Sequence, residues 1–209
     1  MSPFFVTEPG LAFVPEYAKI FFVMCRLIAF LKCAVASLGA SLVILTSAAA
    51  EPAEIEALLE GLQTADPIAA QQIEGRIYEI WSQSGSPSMD LLLTRGRDAL
   101  TDGDTKGAIF HFTALIDHAP DFAEGYNARA TAYFQAGRYG LSIEDIRRTL
   151  QLNPRHFGAM SGLALILEEL GEVDAALEAW REVERLHPNR EGLQDSIRRL
   201  EVQIGGETL

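Results

Sequence analysis

The chain has 209 residues, 48% of them apolar and 22% charged, and its 29 Asp and Glu outnumber 17 Lys and Arg to leave a formal net charge of −12. Beyond residue 50 the imbalance is 14 cations against 27 acids, which excludes nucleic acid as a natural partner and disfavours anionic lipid headgroups. Both cysteines, Cys25 and Cys33, precede residue 51, so the remainder has no internal disulfide, and it is long enough to bury a core without one.

Residues 1–23 carry Glu8, Glu16, three prolines and several aromatics, a poor match to the short positive start of a secretory signal. Translation is therefore expected to begin at Met24. Residues 24–50 read as a signal peptide: Arg26 and Lys32 open it, Cys33 to Leu45 form its apolar run, and Ala48-Ala49-Ala50 offers cleavage before Glu51. The alternative is retention, because Leu27 to Ala50 is long enough to span a bilayer and would anchor the chain to the inner membrane.

Residues 51–88 predict a helical hairpin. Ile55, Leu58, Leu59 and Leu62 share one face of a first helix, and Ile73, Ile77, Ile80 and Trp81 share one face of a second. Its expected task is to cover the exposed end of the helical region beginning at residue 89. Ser82 to Ser88, with Gly85 and Pro87, is a loop.

From 89 to 190 the sequence repeats at a spacing of 34, in units 89–122, 123–156 and 157–190. Gly103, Gly137 and Gly171 form one column, and Pro120, Pro154 and Pro188 another. Small residues recur at Gly96, Ala130 and Ala164 and at Ala108, Ser142 and Ala176, followed by Phe112, Ile146 and Trp180. The small residues let two antiparallel helices approach, the large one fills the space left between units, glycine ends each first helix in the left-handed conformation, and proline turns the chain into the next unit. This pattern resembles the tetratricopeptide repeat. The resemblance implies an all-α, right-handed superhelix of three such units with an N-terminal hairpin cap and a C-terminal capping helix.

Helices are expected at 89–102, 105–118, 123–136, 139–152, 157–170 and 173–186, with Asp104 and Asp174 as caps for two of the second helices. A last helix, about 190–203, would lay Leu193, Ile197 and Leu200 on the third unit and show Arg198, Arg199 and Glu201 to water, with a frayed tail from Gly205.

No catalytic motif stands. Gly158-Ala159-Met160-Ser161-Gly162 has its serine one place too late for a nucleophile elbow and no strand before it. His111 and His118 share a helix face but lie about 10 Å apart, too far to hold one metal. Asp102-Gly103-Asp104 puts Lys106 and Thr113 where a calcium loop needs ligands. No cofactor or metal is expected. The rival of another class, a metal protein or enzyme using His111, His118 and His156, has only those rings in its favour, and His156 reads more simply as a helix-start hydrogen bond.

The resemblance also implies a binding face. In tetratricopeptide proteins the first helix of each unit lines a concave groove through positions 2, 5, 9, 12 and 13, which here are Asp90, Leu93, Arg97, Leu100 and Thr101, then Glu124, Asn127, Thr131, Phe134 and Gln135, then Gly158, Ser161, Leu165, Glu168 and Glu169. Its polar middle suits an extended peptide, whose amides need donors and acceptors. Arg97, Glu124, Asn127, Thr131, Phe134 and Ser161 are the expected contacts. A chaperone-type carboxylate clamp is not, since its positions hold Leu93, Arg97, Ala128, Gly158 and Gly162. The tracts Asp121 to Ala130 and Pro154 to Leu163 also resemble short, signal-bearing tetratricopeptide proteins of alphaproteobacteria, which implies a periplasmic, non-catalytic adaptor or scaffold for a protein or peptide partner. Oligomeric state is left open.

Overall fold

The computed structural model describes residues 50–207, with side chains from 53 to 206. The upstream segment and the expected leader to residue 49 lie outside the described residues. Within them are nine helices and no strand: α1 (Ala50–Leu62), α2 (Pro67–Trp81), α3 (Pro87–Thr101), α4 (Thr105–His118), α5 (Ala123–Gln135), α6 (Tyr139–Leu152), α7 (Phe157–Glu169), α8 (Val173–Leu186) and α9 (Leu193–Glu207). The three repeats are the pairs α3/α4, α5/α6 and α7/α8, each boundary within two residues of its expected place.

The repeat columns do the work their chemistry predicts. Gly103, Gly137 and Gly171 have φ of 79°, 69° and 75°. In each repeat the amide after the glycine donates to a carbonyl five residues back, as from Asp104 to Ala99 at 2.8 Å, so orphan carbonyls at the helix end are satisfied. A Cβ on Gly96 would collide with the Phe112 ring, the packing that requires glycine there. Ser142 stands in a small-residue column and hides its hydroxyl by donating to the Ala130 carbonyl at 2.7 Å.

Three expectations change. Asp104 caps α4 by accepting from Gly107 N at 2.9 Å, but Asp174 does not cap α8: Glu172 holds that position without a side-chain bond, and Asp174 sits in the first turn, where its charge faces the helix dipole. Helix α9 runs on through Gly205 and Gly206 to Glu207 because Ile204 packs against the core. The hairpin α1/α2 forms where the apolar spacing puts it. It covers a different surface, however, because its apolar face matches the third repeat and not the end of the first. Leu59, Leu62, Ala70 and Ile77 share one buried cluster with Phe157, Ala164, Leu167, Trp180 and Val183 of α7 and α8 and with Leu193, Ile197 and Leu200 of α9. A second cluster, Leu93, Ala108, Phe112, Leu115, Ala128 and Ala132, belongs to the first two repeats.

Candidate functional site

The first helices α3, α5 and α7 present the face that the repeat register marks for binding, and the hairpin already occupies part of it. The Trp81 ring stacks on His156 with centroids 4.4 Å apart, and Tyr78 meets Phe157 edge-on at 5.4 Å. A Cβ on Gly158 would strike the Tyr78 hydroxyl. Burial among these rings pushes the Tyr78 phenol up to about 12, despite the opposing pull of Arg190. The hairpin is fixed at two more points, by the ion pair of Arg155 with Glu56 and at Glu74, where one oxygen pairs with Arg190 and the other is hydrogen-bonded to His187 Nε2 at 3.0 Å. Burial alone would raise the Glu74 carboxyl, but the His187 hydrogen bond and the Arg190 charge outweigh it and hold Glu74 below its ordinary value. At the far turn, Asn189 Nδ2 donates to the Ala65 carbonyl at 2.7 Å.

At the centre of the face is Glu124, only 4% exposed. Its Oε1 accepts from Arg97 Nη2 at 2.6 Å, and its Oε2 from Asn127 Nδ2 at 3.1 Å and His156 Nε2 at 3.0 Å. The His156 Nδ1 accepts from Ala159 N at 3.1 Å, so the ring proton sits on Nε2, the only tautomer that serves both bonds. His156 is thus the helix-start hydrogen bond the sequence suggests, and it also ties the second repeat to the third. Arg97 donates as well to Ser82 Oγ at 3.0 Å, bringing the first repeat and the end of α2 into the same network. A buried carboxylate with three donors is stable where a lone one would be costly.

The expected contact residues therefore divide. Glu124 and Ser161 are both 4% exposed, Ser161 with its hydroxyl donated to the Phe157 carbonyl one turn back. Packing commits Ser161 to the interior, and the same bond removes it from any nucleophile's role, while Glu124 stands in the wall of a cleft with its oxygens taken by its three donors. Arg97, Asn127 and Phe134 are half-buried and Thr131 is exposed. Arg97, Glu124 and residues Gly75, Tyr78, Glu79, Ser82 and Gln83 of the hairpin line an open cleft of about 630 Å³. At groove positions of α5 and α7, Thr131 and Leu165 are exposed and Phe134 is half-buried.

Among the described residues no group of three or more His, Cys, Asp or Glu converges as a metal site, and no helix is long and apolar enough to cross a membrane. His118 is exposed, His111 lies edge-on to Phe110, and His156 is spent on its cap, so the three rings of the metal reading do not meet. Sequence reasoning put Trp81 on the hairpin's apolar face without placing it at this site, and missed Tyr78, Glu74, His187 and Arg190. The signal that could have found them was the tract Arg155-His156-Phe157-Gly158, out of keeping with a repeat junction and now seen to be the seat of the hairpin.

Known proteins agree with this architecture. The tetratricopeptide repeat profile matches residues 93–154 and 127–191. A TPR repeat-containing protein of Rhizobium etli is 34% identical over 141 residues, 68% of this chain and 69% of that protein. A human SGT1 homolog is 32% identical over 89 residues, which cover 43% of this chain and 24% of the relative. Among solved structures, the first TPR of Spaghetti (RPAP3) bound to the HSP90 peptide SRMEEVD superposes with a TM-score of 0.54 at 21% identity, over 56% of this chain and 93% of that one.

Proposed function

Because the chain belongs to the tetratricopeptide repeat family, we propose that it is a non-catalytic, periplasmic protein-binding adaptor or scaffold, which takes a partner segment on the part of the first-helix face that the hairpin leaves open. The observation that carries this reading is the open cleft of about 630 Å³ beside Arg97, together with exposed Thr131 and half-buried Asn127 and Phe134 at groove positions of α5. The similar TPR domain of RPAP3 is bound to a peptide, and a peptide is the class of partner this face suits. Periplasmic placement is supported by the export pattern of residues 24–50 and by a described region without cysteine. Affinity for one segment is expected on the order of micromolar, since the open face offers few deep apolar anchors.

The test is in-cell photo-crosslinking from a benzophenone side chain at Thr131, with mass spectrometry of the adducts and of the protein's own N-terminus. A discrete partner linked to chains that begin at Glu51 is the expected result. Adducts from a convex position such as Glu178 with none from Thr131 would overturn the binding face, and an intact leader in membranes would replace the soluble adaptor by an anchored one.

A further inference from the structure

The open part of the first-helix face has a chemistry more specific than peptide binding in general. The repeat register puts apolar residues at groove positions of all three first helices, which pack side by side: Leu100 and Phe134, both half-buried, and Leu165, which leaves 43% of its surface in water. Charge around these residues is one-sided. Among the described residues, all cations but Arg95, Lys106 and Arg138 face a carboxylate within 4.0 Å. Of these three, Arg138, at the turn after α5, lies over the Tyr133 ring at 5.3 Å. Arg97, the one cation on the face itself, is committed to Glu124 and Ser82.

The acids are not matched in the same way. Asp98 and Asp102 near the end of α3 and Glu169 at the end of α7 make no ion pair among the described residues, and α3 and α7 are the outer two of the three first helices, which pack side by side with α5 between them. Their charge is therefore left for a ligand. An anionic segment laid here would meet uncompensated carboxylates at both ends, whereas a cationic one would neutralise them while its apolar side chains cover Leu100, Phe134 and Leu165.

We infer that this face receives an extended partner segment bearing apolar side chains and net positive charge. The inference rests on the adaptor reading of the same face and names the partner's chemistry. Long-range attraction from an acidic chain would speed the encounter, and the apolar residues would hold the segment once seated.

Two measurements on the purified full chain and in cells decide it. Synthetic peptides of alternating leucine and lysine, or leucine and glutamate, serve as probes in fluorescence anisotropy. Asp102→Lys with Glu169→Lys alters the face, and Asp117→Lys with Glu178→Lys makes the same charge change at exposed positions of α4 and α8. The leucine–lysine probe is expected to bind and to weaken about tenfold in the first variant and less than about twofold in the second, with no binding of the leucine–glutamate probe. Equal weakening in both variants, binding of both probes, or binding of neither overturns the inference. In cells, adducts at Thr131 that map to acidic partner segments overturn it and leave the adaptor reading standing, whereas the absence of any adduct overturns both.

Discussion

The core of the first two repeats and the core that joins the hairpin to the third repeat differ in what assembles them. The first is made by register: Gly96 receives the Phe112 ring, and Leu93, Leu115, Ala128 and Ala132 close around it, all from residues less than two repeats apart. In the second, register supplies only one side, Phe157, Ala164, Trp180 and Val183. The other side comes from Leu59, Leu62, Ala70 and Ile77, and the fit is completed by rings and ion pairs. A repeat thus dictates how it packs on its neighbour, and leaves undictated what fills its concave side.

The sharpest way to break the first core is Phe112→Ala, since that ring is fully buried. A loss of about 3–5 kcal/mol is expected, measured by denaturant unfolding. The junction between the two cores rests on Glu124, and Glu124→Ala strands His156 and half-buried Arg97. A loss of about 3 kcal/mol is expected, and a value near zero would mean that the three donors find water instead. Gly158→Val attacks the second core alone. It forces Tyr78 aside, so about 1–3 kcal/mol is lost and amide exchange quickens in α2 while α3 and α4 keep their protection.

Smaller effects sharpen the contrast. Glu74→Gln removes the charge that Arg190 faces and should cost about 1–2 kcal/mol at neutral pH. The folded value of Glu74 is depressed, so its contribution is present above the ordinary 4.5 and is lost as pH falls through the folded value. Wild type should therefore lose hairpin docking on acidification below about 4.5, and Glu74→Gln should lack that part of the slope. Smallest of all, Arg181→Ala at its exposed pair with Glu201 is expected to change stability by less than about 0.5 kcal/mol.

These differences explain what the sequence made legible. Helix boundaries followed from columns with one physical cause each, so α4, α6 and α8 fall where Gly103, Gly137 and Gly171 place them. The hairpin's existence was legible from Ile73, Ile77 and Ile80, but its seat was not. Shifting the register back by one unit puts Leu62 and Glu74 on the small-residue columns and Tyr78 on the large-residue column, and nothing in a column says that this aromatic belongs against Phe157, far along the chain. The binding face suffered for the same reason. Glu124 and Ser161 stand at groove positions, yet both are buried, Glu124 among donors from α3, α5 and the start of α7 and Ser161 by a bond within its own helix, which register alone does not specify. Thr131 is exposed and Phe134 half-buried, and among the described residues no contact of the hairpin is seen at either.

The hairpin's seat also sets an order of events in time. Apart from Arg97 with Ser82, its anchoring bonds join residues 99 to 124 apart, from Arg155 with Glu56 to Asn189 with Ala65, whereas Ser142 reaches Ala130 over only 12. Local contacts form quickly and distant closures slowly, so α3 to α6 should acquire protection first and the hairpin last. During synthesis Glu74 emerges 116 residues ahead of Arg190, a wait of roughly 6 to 23 seconds at ribosomal speed. For that interval the apolar face of α1 and α2 has no partner of its own, which makes it the stretch a chaperone would be expected to hold.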